Sequence, residues 1–457
     1  MPTRSTAAVA TALAAGLAAL AALAAAGMVP AQDARILCVV FVCILLWATG
    51  AIPGYLVSLL FFLLAVTLTN VPVPEIFSGF ASSAFWLVFS GGVIGFALRE
   101  SGLSDRVGAI LARIIGRSYL KSLLAFAAIS FALCLVMPST FGRIAILVPI
   151  AAGYCSVAGL ERPGRGRDGI LLLVIVGSFE LAAGVLPANL PNIIMAGVLE
   201  HGAGFKVSFS DYLYIFFPAA VLVRGAVLVA VSYLMFPDTV SGEPPQPAIK
   251  PLSAHEMRVI VLLSATLVLW LTDSIHHLAP GWVGLGFSLA YLLTSNGREV
   301  AAFGNGQKMD LLWFIAAIMG LTAIVHHVDL SPLTAWGQGE WARDPLVAYA
   351  VLVAVSIAIC FVATSNAEPA LYTPLATSFL AGGGFLKMGL LAQVMGYSTT
   401  FLAYQAPPIL FGADLAGIKG AAVARYCLVT AGLGLLLVVP ANAAWWWLIG
   451  LLPSAPG

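Results

Sequence analysis

The stretch "CLVMPSTFGRIAILVPI" (residues 134–150) sets a guanidinium, Arg143, into a run that is otherwise as apolar as a lipid chain. A charge at bilayer depth costs roughly 2.5–3.5 kcal/mol or more, so it is kept where it has a partner or a task. The planar fork of arginine suits carboxylates, sulfonates and similar oxyanions, which it can hold through two parallel hydrogen bonds. A second intramembrane charge, Glu368, lies in "ATSNAEPALYTPL" (363–375). Aligning the two segments sets Ser139 on Thr364, Arg143 on Glu368 and Pro149 on Pro374. A carboxylate there repels an anion unless it is protonated or paired, which makes Glu368 the candidate for proton coupling. Three roles stay open for Arg143: it binds an oxyanion, it forms a structural ion pair with Glu368, or it faces a cytoplasmic vestibule. Glu180 and Arg224, each inside an apolar helix, read as structural.

The surrounding elements must hold such groups within a membrane. The 457 residues are 61% hydrophobic and 9% charged, with a mean hydropathy of +1.01, which excludes a soluble domain and gives an all-α polytopic membrane protein. No basic patch with interleaved aromatics is present, so nucleic acid is not a partner. The six cysteines are scattered through apolar runs and read as small core residues; the pairs His276-His277 and His326-His327 read as interfacial, and the tryptophans of 442–450 as a membrane-interface belt. Apolar windows predict helices near 7–27, 36–51, 54–69, 83–98, 170–198, 212–236, 259–273, 280–295, 310–326, 346–380, 388–411 and 422–450. The first is read as a retained helix, with a cleaved signal peptide as the alternative. A basic amphipathic surface helix carries Arg99, Arg106, Arg113, Arg117 and Lys121. With the N-terminus inside, Arg162, Arg165, Arg167, Lys250, Arg258, Arg298, Lys308, Lys419 and Arg425 fall on the cytoplasmic side and only Arg35, Lys206, Arg343 and Lys387 on the other, as the positive-inside rule requires.

The chain also repeats itself. Residues 85–104 align with 312–331, 137–150 with 363–375, and 183–197 with 399–412; the copies start on opposite sides of the membrane, hence an inverted repeat. Arms Lys121–Met137 and Ile144–Gly153 joined at Pro138–Gly142, and arms 346–363 and 369–380 joined at "TSNAE", are re-entrant hairpins. The segments "LPANLPN" and "YQAPP" break two longer helices at proline. Four breaks meeting at midplane are how secondary transporters build a site: freed carbonyls hold cations and half-helix N-termini face anions.

These hairpins and broken helices, with "LLWATGAIPGYLVSLLFFLLAV", "FSGFASSAFWLVFSGG" and "ALRESGLSDRV", resemble the divalent-anion/sodium symporter family of the ion transporter superfamily. The resemblance implies an elevator-type transporter and a homodimer in the cytoplasmic membrane. Residues 1–119 and 259–345 would be scaffold, 120–237 and 346–457 the transport parts (hairpins 120–157 and 346–380, broken helices 170–198 and 388–411), and 238–258 a cytoplasmic linker. It implies a substrate site from Ser139, Thr140, Gly142, Arg143, Asn189, Pro191, Asn192, Ser365, Asn366, Glu368, Tyr404, Gln405, Pro407 and Pro408. A sodium site would use Thr364, Ser365, Asn366 and Ala406. No other cofactor or metal is implied, and the partners are a small anion and membrane lipid. The family's hairpin tips carry Ser-Asn-Thr; here the first reads Ser139-Thr140-Phe141 and the second Ser365-Asn366-Ala367, so at most one sodium site is expected, with Arg143 standing in for the first ion. The expected function is secondary active transport of a di- or tricarboxylate, sulfonate or sulfate, coupled to sodium, protons or exchange. The alternative is a sodium/proton antiporter using Glu368 and Glu180. No HExxH, paired intramembrane aspartates or GxSxG marks an enzyme, and broken inverted repeats suit alternating access better than a passive pore.

Overall fold

The computed structural model describes residues 3–49, 51–103, 106, 118–160, 162–163, 165–202, 204–241, 251–306, 310–329, 339–380 and 385–453, and among these the regular structure is entirely helical. Arg113, Arg117, Lys250 and Lys308, most of the expected surface helix and the middle of the linker lie outside the described residues. Among the described residues four helices are long and apolar enough to cross a membrane: Tyr119–Val136, Phe209–Met235, Ala254–Leu271 and Gly420–Leu448. The last one contains the expected tryptophan belt, but Trp446 is fully buried and its indole donates to Ile215 O at 3.2 Å, so this residue is core; Trp447, 59% exposed, has the belt character.

The inverted repeat appears as reciprocal packing. Gly54–Leu68 runs along Asp310–Val325, and its counterpart Pro280–Thr294 along Ser83–Glu100. The second arm of each hairpin packs on the second half of the other repeat's broken helix: Thr140–Val157 on Pro407–Ala416, and Glu368–Phe379 on Leu190–Gly202. Each first arm lies on the first half of its own repeat's broken helix, Tyr119–Val136 on Gly166–Glu180 and Pro345–Val362 on Leu386–Tyr397. Each hairpin and broken helix therefore needs the opposite repeat to bury its apolar surface.

Both hairpins form where expected. Tyr119–Val136 and Thr140–Val157 are each 18 residues, the second arm starting earlier than the apolar run because Ser139 caps it at once, accepting from Gly142 N at 3.1 Å. Length alone would let the first arm span, yet its end does not reach water, for Met137 is fully buried among the helix breaks. The second hairpin has arms Pro345–Val362 and Glu368–Phe379. Ser139 O accepts from Arg143 N at 2.9 Å and Thr364 O from Glu368 N at 3.1 Å, so the aligned charges occupy equivalent backbone positions.

The last helix of each repeat carries a π-helical segment, Phe217–Val223 around Pro218 and Gly434–Val438 just before Pro440. Proline removes a donor from the helical ladder, and one wider turn accommodates the loss. On the face assigned to the cytoplasm, Asp238 Oδ2 accepts from Gly166 N at 3.0 Å, tying the linker to the loop after the first hairpin. Arg106 grips Glu256 through both carboxylate oxygens, at 2.7 and 2.9 Å.

Candidate functional site

The breaks are built from side chains that replace lost backbone bonds. In the first broken helix, Gly166–Glu180 gives way to two 3-10 turns and resumes at Leu190–Gly202. Asn192 Nδ2 donates to Ala182 O at 2.9 Å and Val185 O at 2.8 Å, and Asn189 Oδ1 accepts from Asn192 N at 3.1 Å. Tyr212 donates to Ala183 O at 2.8 Å, and Tyr397 of the second broken helix donates to Asn192 Oδ1 at 2.8 Å. Asn189 and Asn192, expected at the substrate, are thus buried supports of the break. In the second, Leu386–Tyr397 resumes at Pro407–Ala416. Gln405 Oε1 accepts from Phe401 N at 2.8 Å and Leu402 N at 2.9 Å, and its carbonyl from Ser365 N at 2.9 Å. Gln405 therefore fixes the second tip; Tyr404 points elsewhere, donating to Phe361 O at 2.7 Å.

A cavity of about 130 Å³ lies where the breaks meet, and it brings together Ser139, Thr140, Pro191, Asn366 and Pro408 of the expected set. Three half-helices begin at its wall: Thr140–Val157, Leu190–Gly202 and Pro407–Ala416. The fourth, Glu368–Phe379, starts two residues beyond Asn366. Each presents the positive end of its dipole. Val88, Phe89, Gly91, Gly92 and Leu312, from the helices outside the hairpin bundle, close the other side. A Cβ on Gly91 would stand 3.0 Å from Pro138 Cβ, so glycine there lets the first tip approach. Gly142 is not on the cavity wall; a Cβ there would fall 2.6 Å from the terminal methyl of Met137, which would have to shift to make room.

Arg143 stands behind this wall, fully buried. Its Nη1 donates to Met137 O and, at 2.7 Å, to Ala188 O; its Nη2 donates to Ser178 O at 2.7 Å and Thr140 Oγ1 at 3.0 Å. The guanidinium occupies a cage of oxygens freed by the hairpin turn and the helix break, the kind of site that would otherwise hold a cation. It neither lines the cavity nor pairs with Glu368, whose two buried carboxylate oxygens have no well-formed hydrogen bond among the described residues, the Ser356 hydroxyl being the nearest polar group. Around Glu368, the Ser356 hydroxyl donates to Gln393 O at 3.2 Å, and Gln393 Oε1 is also without a partner. Cys360, Tyr372 and Tyr397 are within its electrostatic reach. Sodium therefore fits the two tips differently. At the first a guanidinium already satisfies the oxygens, whereas the second offers Ser365, Asn366 and an unbonded carboxyl group. The carbonyls of Thr364 and Ala406, expected as further ligands, already accept peptide N–H groups of Ala367 and Ile409 at 3.0 and 2.9 Å.

Glu180 and Arg224 are a buried ion pair at 3.1 Å, and Arg224 Nη1 also donates to Ser398 O at 2.8 Å, at the end of the first half of the second broken helix. The charged pair was visible in the sequence as two isolated charges; the link to Ser398 was not.

A model of the sodium:sulfate symporter transmembrane region matches residues 4–452. The chain belongs to this family. It is accordingly a membrane transporter, not an enzyme, and a multi-pass protein of the cytoplasmic membrane. The family resemblance read from the hairpins and breaks is borne out. Relatives within reach include a "membrane protein" of Cupriavidus necator, 24% identical over 401 residues, 81% of this chain and 76% of that one. L-tartrate/succinate antiporters of Shigella dysenteriae and Escherichia coli are 27% identical over 207 and 208 residues, 42% of either chain in each match. The chain thus matches well under half the length of those antiporters. The Alcanivorax borkumensis YdaH transporter has the same fold, with a TM-score of 0.55 at 15% identity over 83% of this chain and 88% of that one.

Proposed function

We propose that the protein is a secondary active transporter of a small organic oxyanion, working by exchange or proton coupling, with at most one sodium ion. The convergence of three half-helix N-termini and the Asn366 tip on one cavity carries this reading, because it is an anion site that needs no cationic side chain on its wall. A larger cavity of about 560 Å³ adjoins it, Ile193 lining both, and opens at the end of the bundle that holds Ser83, Lys206, Asp273 and His277, the face with few basic residues. This is an outward-facing arrangement. In an elevator cycle the hairpins and broken helices of 120–237 and 346–457 carry the site past 1–119 and 259–345, which remain as a dimeric scaffold. The antiporter names of the partial relatives support exchange, and tartrate and succinate set the size range. Against the sodium/proton alternative stands Glu180, whose carboxylate is held by Arg224.

Glu368 supplies the coupling. A buried carboxyl group with neither oxygen bonded requires a proton or a cation before it crosses the bilayer. In proteoliposomes, Glu368→Gln is expected to lose net uptake driven by an imposed proton gradient by at least tenfold while substrate-for-substrate exchange continues. Proton-driven uptake at the wild-type rate in this variant would remove Glu368 from the coupling step.

A further inference from the structure

The segments read as scaffold and those read as moving parts meet in two different ways. Along the middle of the bundle the contact is made by small and apolar residues. Leu190–Gly202 packs on Asp310–Val325 and on Ser83–Glu100, and a Cβ on Gly197 would fall 2.7 Å from Met319 Sδ and 3.0 Å from Ala84 Cβ. Apolar attraction is non-directional, so one such contact can replace another as the surfaces slide. At the outer end the contact is polar and directional. Asp273, which opens the single turn Asp273–His276 after Ala254–Leu271, is buried; its Oδ2 accepts from Phe209 N and its Oδ1 from Ser210 Oγ at 2.7 Å. The carboxylate thus sits on the positive end of the helix Phe209–Met235. Beside it the ring of Phe209 stacks on Trp270 with 5.7 Å between centroids, and Trp270 is itself fixed by its indole N–H, which donates to Pro280 O at 3.1 Å. Asp273 and Ser208 both line the cavity of about 560 Å³ that opens outward.

Resting on the elevator reading above, we propose that Asp273 is a latch that holds the outward-facing arrangement and so sets how much of the protein waits for substrate on that side. A cycle that carries 120–237 past 259–345 separates Phe209 and Ser210 from Asp273, and a hydrogen bond is gone once its heavy atoms part beyond about 3.5 Å. The sliding apolar surface contributes similarly to both arrangements, whereas the Asp273 contacts exist in one of them. Only a difference of that kind shifts an equilibrium between two states. Asp273 is not on the wall of the cavity between the tips, so it acts on the arrangement of the two parts rather than on bound substrate; it is a positioning residue.

The test uses the full-length protein in oriented proteoliposomes, with succinate, tartrate or sulfate as the probe, whichever the wild type takes up fastest. Asp273→Asn keeps one acceptor but loses the charge and the second acceptor, and is expected to lower the outward-to-inward ratio about tenfold. The half-saturating probe concentration then rises at the outer face and falls at the inner face, their quotient moving by about tenfold. Ser210→Ala, which removes one of the two bonds, moves the quotient the same way by less. A lower melting temperature with an unchanged quotient is what a merely structural role gives, and it would overturn the latch. In the double variant Ser210→Cys, Asp273→Cys, oxidation to the disulfide is expected to stop transport and reductant to restore it, while wild type treated alike keeps its rate. Full-rate transport by the oxidised double variant would show that residues 210 and 273 travel together, which overturns the latch and leaves the protein a transporter. Wild-type protein that moves none of the three probes would overturn the transporter reading itself.

Discussion

Arg143→Ala is expected to lower transport by about a hundredfold or more while the protein still inserts into the membrane. The guanidinium serves four acceptors at once, the carbonyls of Met137, Ala188 and Ser178 and the hydroxyl of Thr140. Each buried group left without its partner costs about 1–3 kcal/mol, and roughly 1.4 kcal/mol is already a factor of ten. Arg143→Lys keeps the charge but is a point donor where a fork bridges the turn and the break, so a loss of about tenfold or more is expected. Arg143→Ser has a more specific expected effect. With the guanidinium gone the oxygen cage remains, and sodium should partly restore uptake that choline does not. Initial rates in proteoliposomes with matched sodium and choline chloride measure both effects; near-normal, sodium-independent transport by Arg143→Ala would show that the guanidinium is dispensable.

The second large effect is on folding. Arg224→Ala leaves Glu180 as an unpaired charge in a fully buried position and frees Ser398 O, and removing one partner of such a pair costs about 3–5 kcal/mol. The double variant Glu180→Ala, Arg224→Ala should recover most of this, since removing both charges also removes the need to desolvate them. Thermal unfolding in detergent, followed by the fraction of monodisperse protein, reads the difference. Equal losses in the single and double variants would mean that Arg224 acts mainly through Ser398 rather than through Glu180.

The sequence exposed the framework because its signals are local. Proline and polar residues interrupt four apolar runs, and the repeat could be aligned closely enough that Arg143 and Glu368 share the same i-to-i−4 backbone bond in their hairpins. The direction of the Arg143 side chain was less legible. Side chains lean toward a helix N-terminus, which brings the guanidinium back to Thr140 and Met137, but two of its acceptors, Ser178 and Ala188, are 35 and 45 residues away. No local pattern encodes them. The same holds for Asn189 and Asn192: motif position suggested ligands, whereas the Asn192 amide satisfies carbonyls left by the 3-10 turns between Glu180 and Leu190, and the Asn189 amide reaches Phe179 O at the end of the preceding helix. The π-helical segments also escaped the sequence, because hydropathy reads them as continuous helix.

The first tip holds a fixed cation, the Arg143 guanidinium, where the family name implies a mobile one. Sodium titration of uptake at fixed pH tests it most directly. The expected Hill coefficient is no greater than one, with any sodium dependence lost in the Ser365→Ala, Asn366→Ala variant. A coefficient clearly above one that survives in that variant would place an exchangeable sodium at the first tip, where the guanidinium would then not be a fixed substitute for the ion.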